Sequence, residues 1–437
     1  MWQTIVNAFK IKEVRNKILI TIALLFVYRL GCYIPVPGVN LMAGLTDYTF
    51  LQVMSAVSGG ALQYGTFFAM GIGPYINASI IIQLLSVGIP ALERLSKQGE
   101  EGRKKINAYT RILTLVLAIV QAIGIILAFK DQTANGIKSI EFNRIFGTEG
   151  FGLVMSYIFL VIVYTAGAAF TMWLGERITD YGVSNGISLL IFAGILSTAG
   201  TSIMGVMSNF KQGGIVAMNA AWTLIGFVIA SILIFAAIVT VSSAERKISV
   251  QYAKQVKGRK MYGGQSTHIP IKVNSSGVMP LIFAYSILSF PDLIISLVGG
   301  KADNWWSTNV GTGTIPYMIL LCVLILFFSY FYNQMQFNPD DISKSIQGNG
   351  GFIPGIRPGK PTGDYLKKVS NRITLFGAIY LAVVALVPSL IFQFIGGESL
   401  INVFSATGLL IVVSVALEFE QALQSQIMMK NYKGFLK

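Results

Sequence analysis

The chain has 437 residues, 54% hydrophobic and only 12% charged, with 33 Lys+Arg against 19 Asp+Glu for a net charge of +14. An average soluble protein carries roughly 25% charged residues, so this composition excludes a water-soluble multidomain protein and requires an integral membrane protein. Its two cysteines, Cys32 and Cys322, lie in apolar runs and exclude a disulfide framework, while a single histidine, His268, excludes a histidine-rich metal site.

Residues 2–9 place Trp2, Ile5, Val6 and Phe9 at i, i+3, i+4 and i+7 ahead of Lys10 and Lys12. That pattern predicts a helix lying in the inner membrane interface, within a cytoplasmic segment 1–17. A helix needs about 20 largely apolar residues to cross the hydrocarbon. Ten stretches qualify: 18–36, 67–88, 110–129, 152–174, 184–204, 216–241, 276–298, 314–334, 373–395 and 400–419. The first ends in Ile34-Pro35-Val36-Pro37 without a small-residue cleavage site, so it reads as a span rather than a signal peptide. Before the second span, Ser55 to Gly65 is Gly-rich, uncharged and too short to cross. It reads as an outer loop or as a re-entrant segment, which membranes tolerate only against protein or a water-filled cavity. The chain therefore divides into an N-terminal half, 18–204, a C-terminal half, 205–419, and a cytoplasmic tail, 420–437.

The charges test this map. With the N-terminus inside, inner segments hold 27 of the 33 basic residues. Outer loops hold five (Lys130, Lys138, Arg144, Lys211 and Lys301), and Arg29 lies within the first span. Such a bias puts both termini and the long basic loops 242–275 and 335–372 in the cytoplasm. Ten spans divide as five and five, and an odd-numbered duplicated half enters from the opposite side, which predicts an inverted repeat. No clear sequence identity links the halves.

Chemistry is conspicuously thin. No Asp or Glu falls in the middle of a span, so the carboxylate relay of an ion-coupled transporter is missing. Arg29 lies about 18 Å along its helix from Lys17, at about 1.5 Å per residue, near the outer third, where it is expected to snorkel. No HExxH occurs, and Gly355-Ile356-Arg357-Pro358-Gly359-Lys360 has the wrong spacing for a phosphate-binding loop. The protein is expected to be no enzyme and to need no cofactor; uphill movement would draw on another protein. Two spans are weakly hydrophobic: Gly71-Ile72-Gly73-Pro74-Tyr75-Ile76-Asn77-Ala78-Ser79 and Ser184-Asn185-Gly186-Ile187-Ser188. They suit either small-residue packing or an aqueous path. Ile72 with Ile76, and Ile187 with Ile191, stand at helical spacing, and an uncharged apolar constriction resists ions by dewetting. The basic inner loops suit membrane lipids, an acidic protein partner or ribosomal RNA phosphates.

Three longer motifs carry a resemblance. Trp173-Leu174-Gly175-Glu176-Arg177-Ile178-Thr179 running on to Gly186-Ile187-Ser188, Gln265 through Asn274, and Phe352-Ile353-Pro354-Gly355-Ile356-Arg357-Pro358-Gly359 are similar to the SecY family. That family supplies the central subunit of the bacterial protein-conducting channel, and the resemblance covers essentially the whole chain. It implies an all-α membrane protein with ten transmembrane helices, in two inverted five-helix halves around a central pore that can part sideways toward lipid. It implies a pore ring of Ile72, Ile76, Ile187, Ile191, Ile282 and Ile411, all isoleucine here. The plug would be Ser58, Gly59, Gly60, Ala61, Leu62, Gln63, Tyr64, Gly65, Thr66 and Phe67. Asn77, Gln121 and Asn274 match a polar cluster at the lateral gate, and Arg259, Lys260 and Arg357 match loop positions that engage the SecA motor or the ribosome. Implied partners are the small membrane subunits SecE and SecG, SecA, the ribosome, signal peptides, unfolded precursor proteins and membrane lipids, at a bacterial plasma membrane. Ala406-Thr407-Gly408 departs from the glycine-rich residues expected in the last span and touches only local packing. The competing classes are a ten-span secondary transporter of a small solute and a membrane-embedded protease. The first lacks its relay and the second its nucleophile–base pair.

Overall fold

Each stretch expected to span the membrane falls on a helix in the computed structural model, which describes residues 2–40, 55, 58–96, 98–130, 133–134, 137–147, 149–210, 214–252, 255–257, 260–262, 266–274, 277–297, 305–311, 314–395 and 406–434. The helices are α1 (Trp2–Lys10), α2 (Lys12–Gly31), α3 (Gly73–Gly88), α4 (Pro90–Ser96), α5 (Glu100–Phe129), α6 (Gly150–Tyr181) and α7 (Gly186–Phe210). They continue as α8 (Gly214–Ser243), α9 (Met279–Leu297), α10 (Trp305–Val310), α11 (Ile315–Gln336), α12 (Pro339–Gly348), α13 (Lys360–Ile395) and α14 (Ala406–Gly434). Among the described residues, four stretches are long and apolar enough to cross a membrane: 100–129, 150–181, 315–348 and 360–387. The pair α3–α4, bent by 106°, makes a fifth if taken as one span. The chain is thus an all-α membrane protein with multiple apolar spans.

Helix boundaries depart from the apolar runs where backbone chemistry intervenes. Helix α2 stops at Gly31, and Ile34 and Val36, which precede Pro35 and Pro37, are non-helical because a residue preceding proline is driven out of the helical region. Residues 67–72 are turns rather than the start of a span. Gly71 has φ +52, and Pro74 sits in the first turn of α3, where its missing N–H costs nothing. The 106° bend follows the same rule: Ile89 precedes Pro90 and is extended, at φ −107 and ψ 112.

Two sets of five helices show matching contacts. In the first, α2 packs on α6 and α7, α3 on α5, α5 on α6, and α6 on α7. In the second, α8 packs on α13 and α14, α9 on α11, α11 on α13, and α13 on α14. Numbered in chain order, the first-to-fourth, first-to-fifth, second-to-third, third-to-fourth and fourth-to-fifth pairings recur in both. The sets meet along two seams: α9 against α5 and α3, and α14 against α7 and α2, with α7 running on into α8.

Strands are confined to the loops. A short hairpin joins β1 (Thr133–Ala134) to β2 (Ile137–Lys138). In the first long basic loop, β3 (Glu245–Tyr252) pairs antiparallel with β6 (Ser266–Lys272), and β4 (Gln255–Lys257) with β5 (Lys260–Tyr262). The second long loop adds β7 (Gly351–Phe352) to β3, with Gln251 opposite Phe352. Ile248 and Val250 alternate inward to join Ile271, Ile346, Ile353 and Leu366 in a small core of their own. The two loops therefore form one platform. At the other end of the sequence, α1 packs on α14 and α2 with Ala8 fully buried, while Val6 and Phe9 stay exposed.

Candidate functional site

The Gly-rich segment is folded into the protein. Ser58 to Leu62 are buried, Gln63 and Tyr64 are exposed, and Gly65 and Thr66 are buried again. Its backbone runs through successive turns: Gly60 N–H donates to the Ser55 carbonyl at 2.9 Å, Gln63 N–H to Gly60 at 3.0 Å, and Thr66 N–H to Ala61 at 3.1 Å. Gly59 and Gly60 hold φ of +68 and +83, conformations only glycine adopts without strain. The far end is stitched to the strand-like exit of α2, where Phe67 N–H donates to the Ile34 carbonyl at 2.9 Å and Val36 N–H to Gly65 at 3.2 Å. Phe68 then stacks between Tyr28 and Phe170, with centroid separations of 5.7 and 5.8 Å.

Arg29, half-buried, has partners on two sides. Its Nη1 donates to the Gly59 carbonyl at 3.1 Å and its Nη2 to the Tyr33 hydroxyl at 3.1 Å. The signal for this was the lone charge within a span beside a Ser-Gly-Gly turn, but sequence does not say which outer segment folds back onto α2.

The six isoleucines share one hydrophobic cluster. Ile72, Ile191 and Ile411 are buried in it, and Ile76, Ile187 and Ile282 pack against it half-buried. They come from α3 and its N-cap, α7, α9 and α14, so both helix sets contribute. Ala61 belongs to the same cluster, while its neighbour Leu62 belongs to the core between α5 and α6. The motif glycines hold this arrangement together. A Cβ on Gly175 would stand 3.3 Å from Ile187 Cγ1 and 3.7 Å from Ile72 Cδ1, and one on Gly186 only 2.0 Å from the Gly175 carbonyl oxygen. Thr179 bridges the α6–α7 junction, its hydroxyl donating to the Gly175 carbonyl at 2.9 Å and accepting Gly186 N–H at 2.9 Å.

Asn77 and Gln121 are buried on the packed helices α3 and α5, and Asn274 is half-buried just ahead of α9, across the seam. No hydrogen bond joins the three among the described residues. Both polar ends of Gln121, which is fully buried, and Oδ1 of Asn274 lack a partner there. Asp292, toward the C-terminal end of α9, is buried but already partnered, so it is no free relay group.

On the platform, Arg357 is exposed while its carbonyl accepts the Thr362 hydroxyl at 2.8 Å and Ile353 is buried beneath the loop. Lys260 begins β5 opposite Lys257 across a tight hairpin, and Arg259 lies outside the described residues. His268 faces Ser249 in the β3–β6 ladder and is exposed. Among the described residues no group of His, Cys, Asp or Glu is placed to hold a metal ion.

The family model described as SecY matches residues 66–420. A Protein translocase subunit SecY of Corynebacterium glutamicum is 42% identical over 455 residues, covering 99% of each chain. Another, of Staphylococcus epidermidis, is 41% identical and covers 100% of this chain and 99% of its own. Among solved structures, one titled "The structure of a protein conducting channel" aligns with a TM-score of 0.68 at 21% identity, over 94% of this chain and 92% of the other. The canine Sec61 of a ribosome–channel complex aligns at 0.63 and 19% identity, over 94% and 92%. Both likenesses are of fold.

Proposed function

The chain belongs to the SecY family and is a protein-conducting channel, not an enzyme; on that premise we propose how its parts divide the work. The spans number ten, in two inverted five-helix halves, a reading supported by the pairing pattern that recurs between the two sets of helices. The pore runs between the halves. Ile72, Ile76, Ile187, Ile191, Ile282 and Ile411 form its constriction, and Ser58 to Phe67 form a plug on its outer side. The halves part along the α9 seam, where Asn77, Gln121 and Asn274 lie, to release apolar segments into lipid. Both termini and the β-platform face the cytoplasm of a bacterial cell, where Arg259, Lys260 and Arg357 dock SecA or the ribosome. SecE and SecG complete the complex, and signal peptides and unfolded precursors are its substrates.

One observation carries this reading. Six isoleucines from four separate chain positions join a single cluster that also contains Ala61 of the buried glycine-rich segment. Apolar β-branched side chains dewet an empty constriction and yield around a passing chain. Single-channel recording in planar bilayers tests it. Replacing three or more of the six with Ser is expected to raise resting conductance, and deleting 58–65 to leave transport possible through a leakier channel. Electrical silence in a multiple-serine variant that also lacks 58–65 would show the pore to be elsewhere.

A further inference from the structure

We propose that Arg29 is a latch that holds the glycine-rich segment shut by its backbone. The proposal rests on the plug reading above and adds to it the residue that sets how readily the plug leaves. Arg29 lies in the last turn of α2, half-buried, and its guanidinium is gripped from two sides. One nitrogen donates to the Gly59 carbonyl at 3.1 Å and another to the Tyr33 hydroxyl at 3.1 Å, while the group stands 4.8 Å over the Tyr33 ring. Stacking on the ring fixes the plane of the fork and so its aim at the carbonyl. Three residues on, the Cys32 thiol lies 3.7 Å from the Ser58 carbonyl. Two successive carbonyls of the segment therefore face α2, which the positive φ of Gly59 permits. A side chain at 59 would be strained at φ +68 and would crowd the contact, its Cβ meeting Arg29 Nη1 at 2.8 Å and the Gly194 Cα of α7 at 3.0 Å.

The choice of acceptor explains why this is a latch and not a weld. A hydrogen bond from a charged donor is roughly twice as strong as a neutral one. Yet the carbonyl carries no full charge, so releasing it strands no buried carboxylate, the costly event when a buried ion pair is broken. The freed guanidinium keeps Tyr33, which is exposed, and reaches water from the outer end of the helix.

Cys32 supplies the readout, because it is 3% exposed beneath Ser58 and becomes reachable when the segment lifts. In the full complex with its small membrane subunits, with Cys322→Ser leaving one thiol, labelling of Cys32 by an impermeant maleimide is followed beside resting conductance. Losing one charge-assisted bond shifts such an equilibrium on the order of tenfold or more. Arg29→Gln is therefore expected to speed labelling and raise open events by about that factor, and Tyr33→Phe by less. Arg29→Lys, charged but without the fork, is expected to fall between wild type and Gln. If Arg29→Gln labels and conducts like wild type while a channel lacking 58–65 labels fast and leaks, the latch is wrong and the plug stands. If the deletion also changes neither signal, the plug reading fails and takes the latch with it. Should Arg29→Gln not accumulate, Arg29→Lys decides by the same comparison, wild-type labelling counting against the latch.

Discussion

At Gly167 an added Cβ would stand 2.0 Å from the Phe67 carbonyl oxygen, so α6 receives the end of the buried segment only as glycine. The contact is with backbone, which cannot rotate away. Gly186 makes an equally close approach of 2.0 Å to the Gly175 carbonyl, but between two helices of the same set. The two positions are thus sterically alike but press on different partners. Overpacking of this kind costs about 1–3 kcal/mol. Gly167→Val is expected to lift Phe67 from its seat and raise resting conductance several-fold with a modest fall in thermal stability. Gly186→Val is expected to lower the thermal stability and accumulation of the complex without a selective leak. Recording conductance beside thermal unfolding separates them, and a Gly167→Val channel that is destabilised yet fully tight would remove Gly167 from the seat of the plug. Neither glycine was legible as such. The motif around Gly175 stands out in sequence, but what presses on a glycine is a property of the packed partner.

Among the elements, the β-platform shows most sharply where sequence reading stops. Helices announce themselves because twenty apolar residues in a row have few other uses, and each of α2, α3, α5 to α9, α11, α13 and α14 lies on a run visible beforehand. The β3–β7 pairing was hidden. It joins Gln251 to Phe352 across a hundred residues of chain, and its local signal is only the alternation of Ile248 and Val250. That pairing matters for docking. Ile353 is buried in the platform core, whereas Arg357, four residues on, is exposed on a loop whose carbonyls are held by Thr362 and Ser343. Arg357→Glu is therefore expected to cut motor-driven precursor transport while the channel accumulates normally, since an exposed charge alters association rather than folding. Ile353→Asp buries an unpaired carboxylate and is expected to lower accumulation itself. Transport assays in inverted membrane vesicles, normalised to channel content, distinguish the two, and unimpaired transport by Arg357→Glu would take this loop out of the docking surface.

Across the whole molecule the two seams differ in what they bury. Where α14 meets α7, Ile411 and Ile191 lie in the apolar cluster, and the chain itself ties α7 to α8. On the proposed gate reading, the side where α9 meets α5 and α3 includes Gln121 of α5, which is buried with no partner for either end of its amide among the described residues. An unsatisfied buried group of that kind costs about 1–3 kcal/mol, so with Gln121 at the gate, as proposed, the α9 seam is expected to be held more weakly than its packing alone provides. A gate needs this property. Its closed state must lie only slightly below the state in which an arriving apolar helix takes the place of one wall. The resemblance groups Asn77, Gln121 and Asn274 as a polar cluster at the lateral gate, and no hydrogen bond joins the three among the described residues. At the proposed gate the polarity is then expected to act by its cost rather than by its bonds, and this sets the sign of the expected mutational effect. Gln121→Leu fills nearly the same volume without the stranded amide and is expected to stabilise the closed seam by about 1–3 kcal/mol. A signal or membrane segment would then need greater hydrophobicity to enter lipid. Asn274→Leu is expected to act in the same direction but less, since that residue is only half-buried. The measurement is the insertion efficiency of a graded series of Leu/Ala test segments: the midpoint should move toward higher leucine content in Gln121→Leu, and a midpoint moved toward lower content would mean that these amides hold the gate closed.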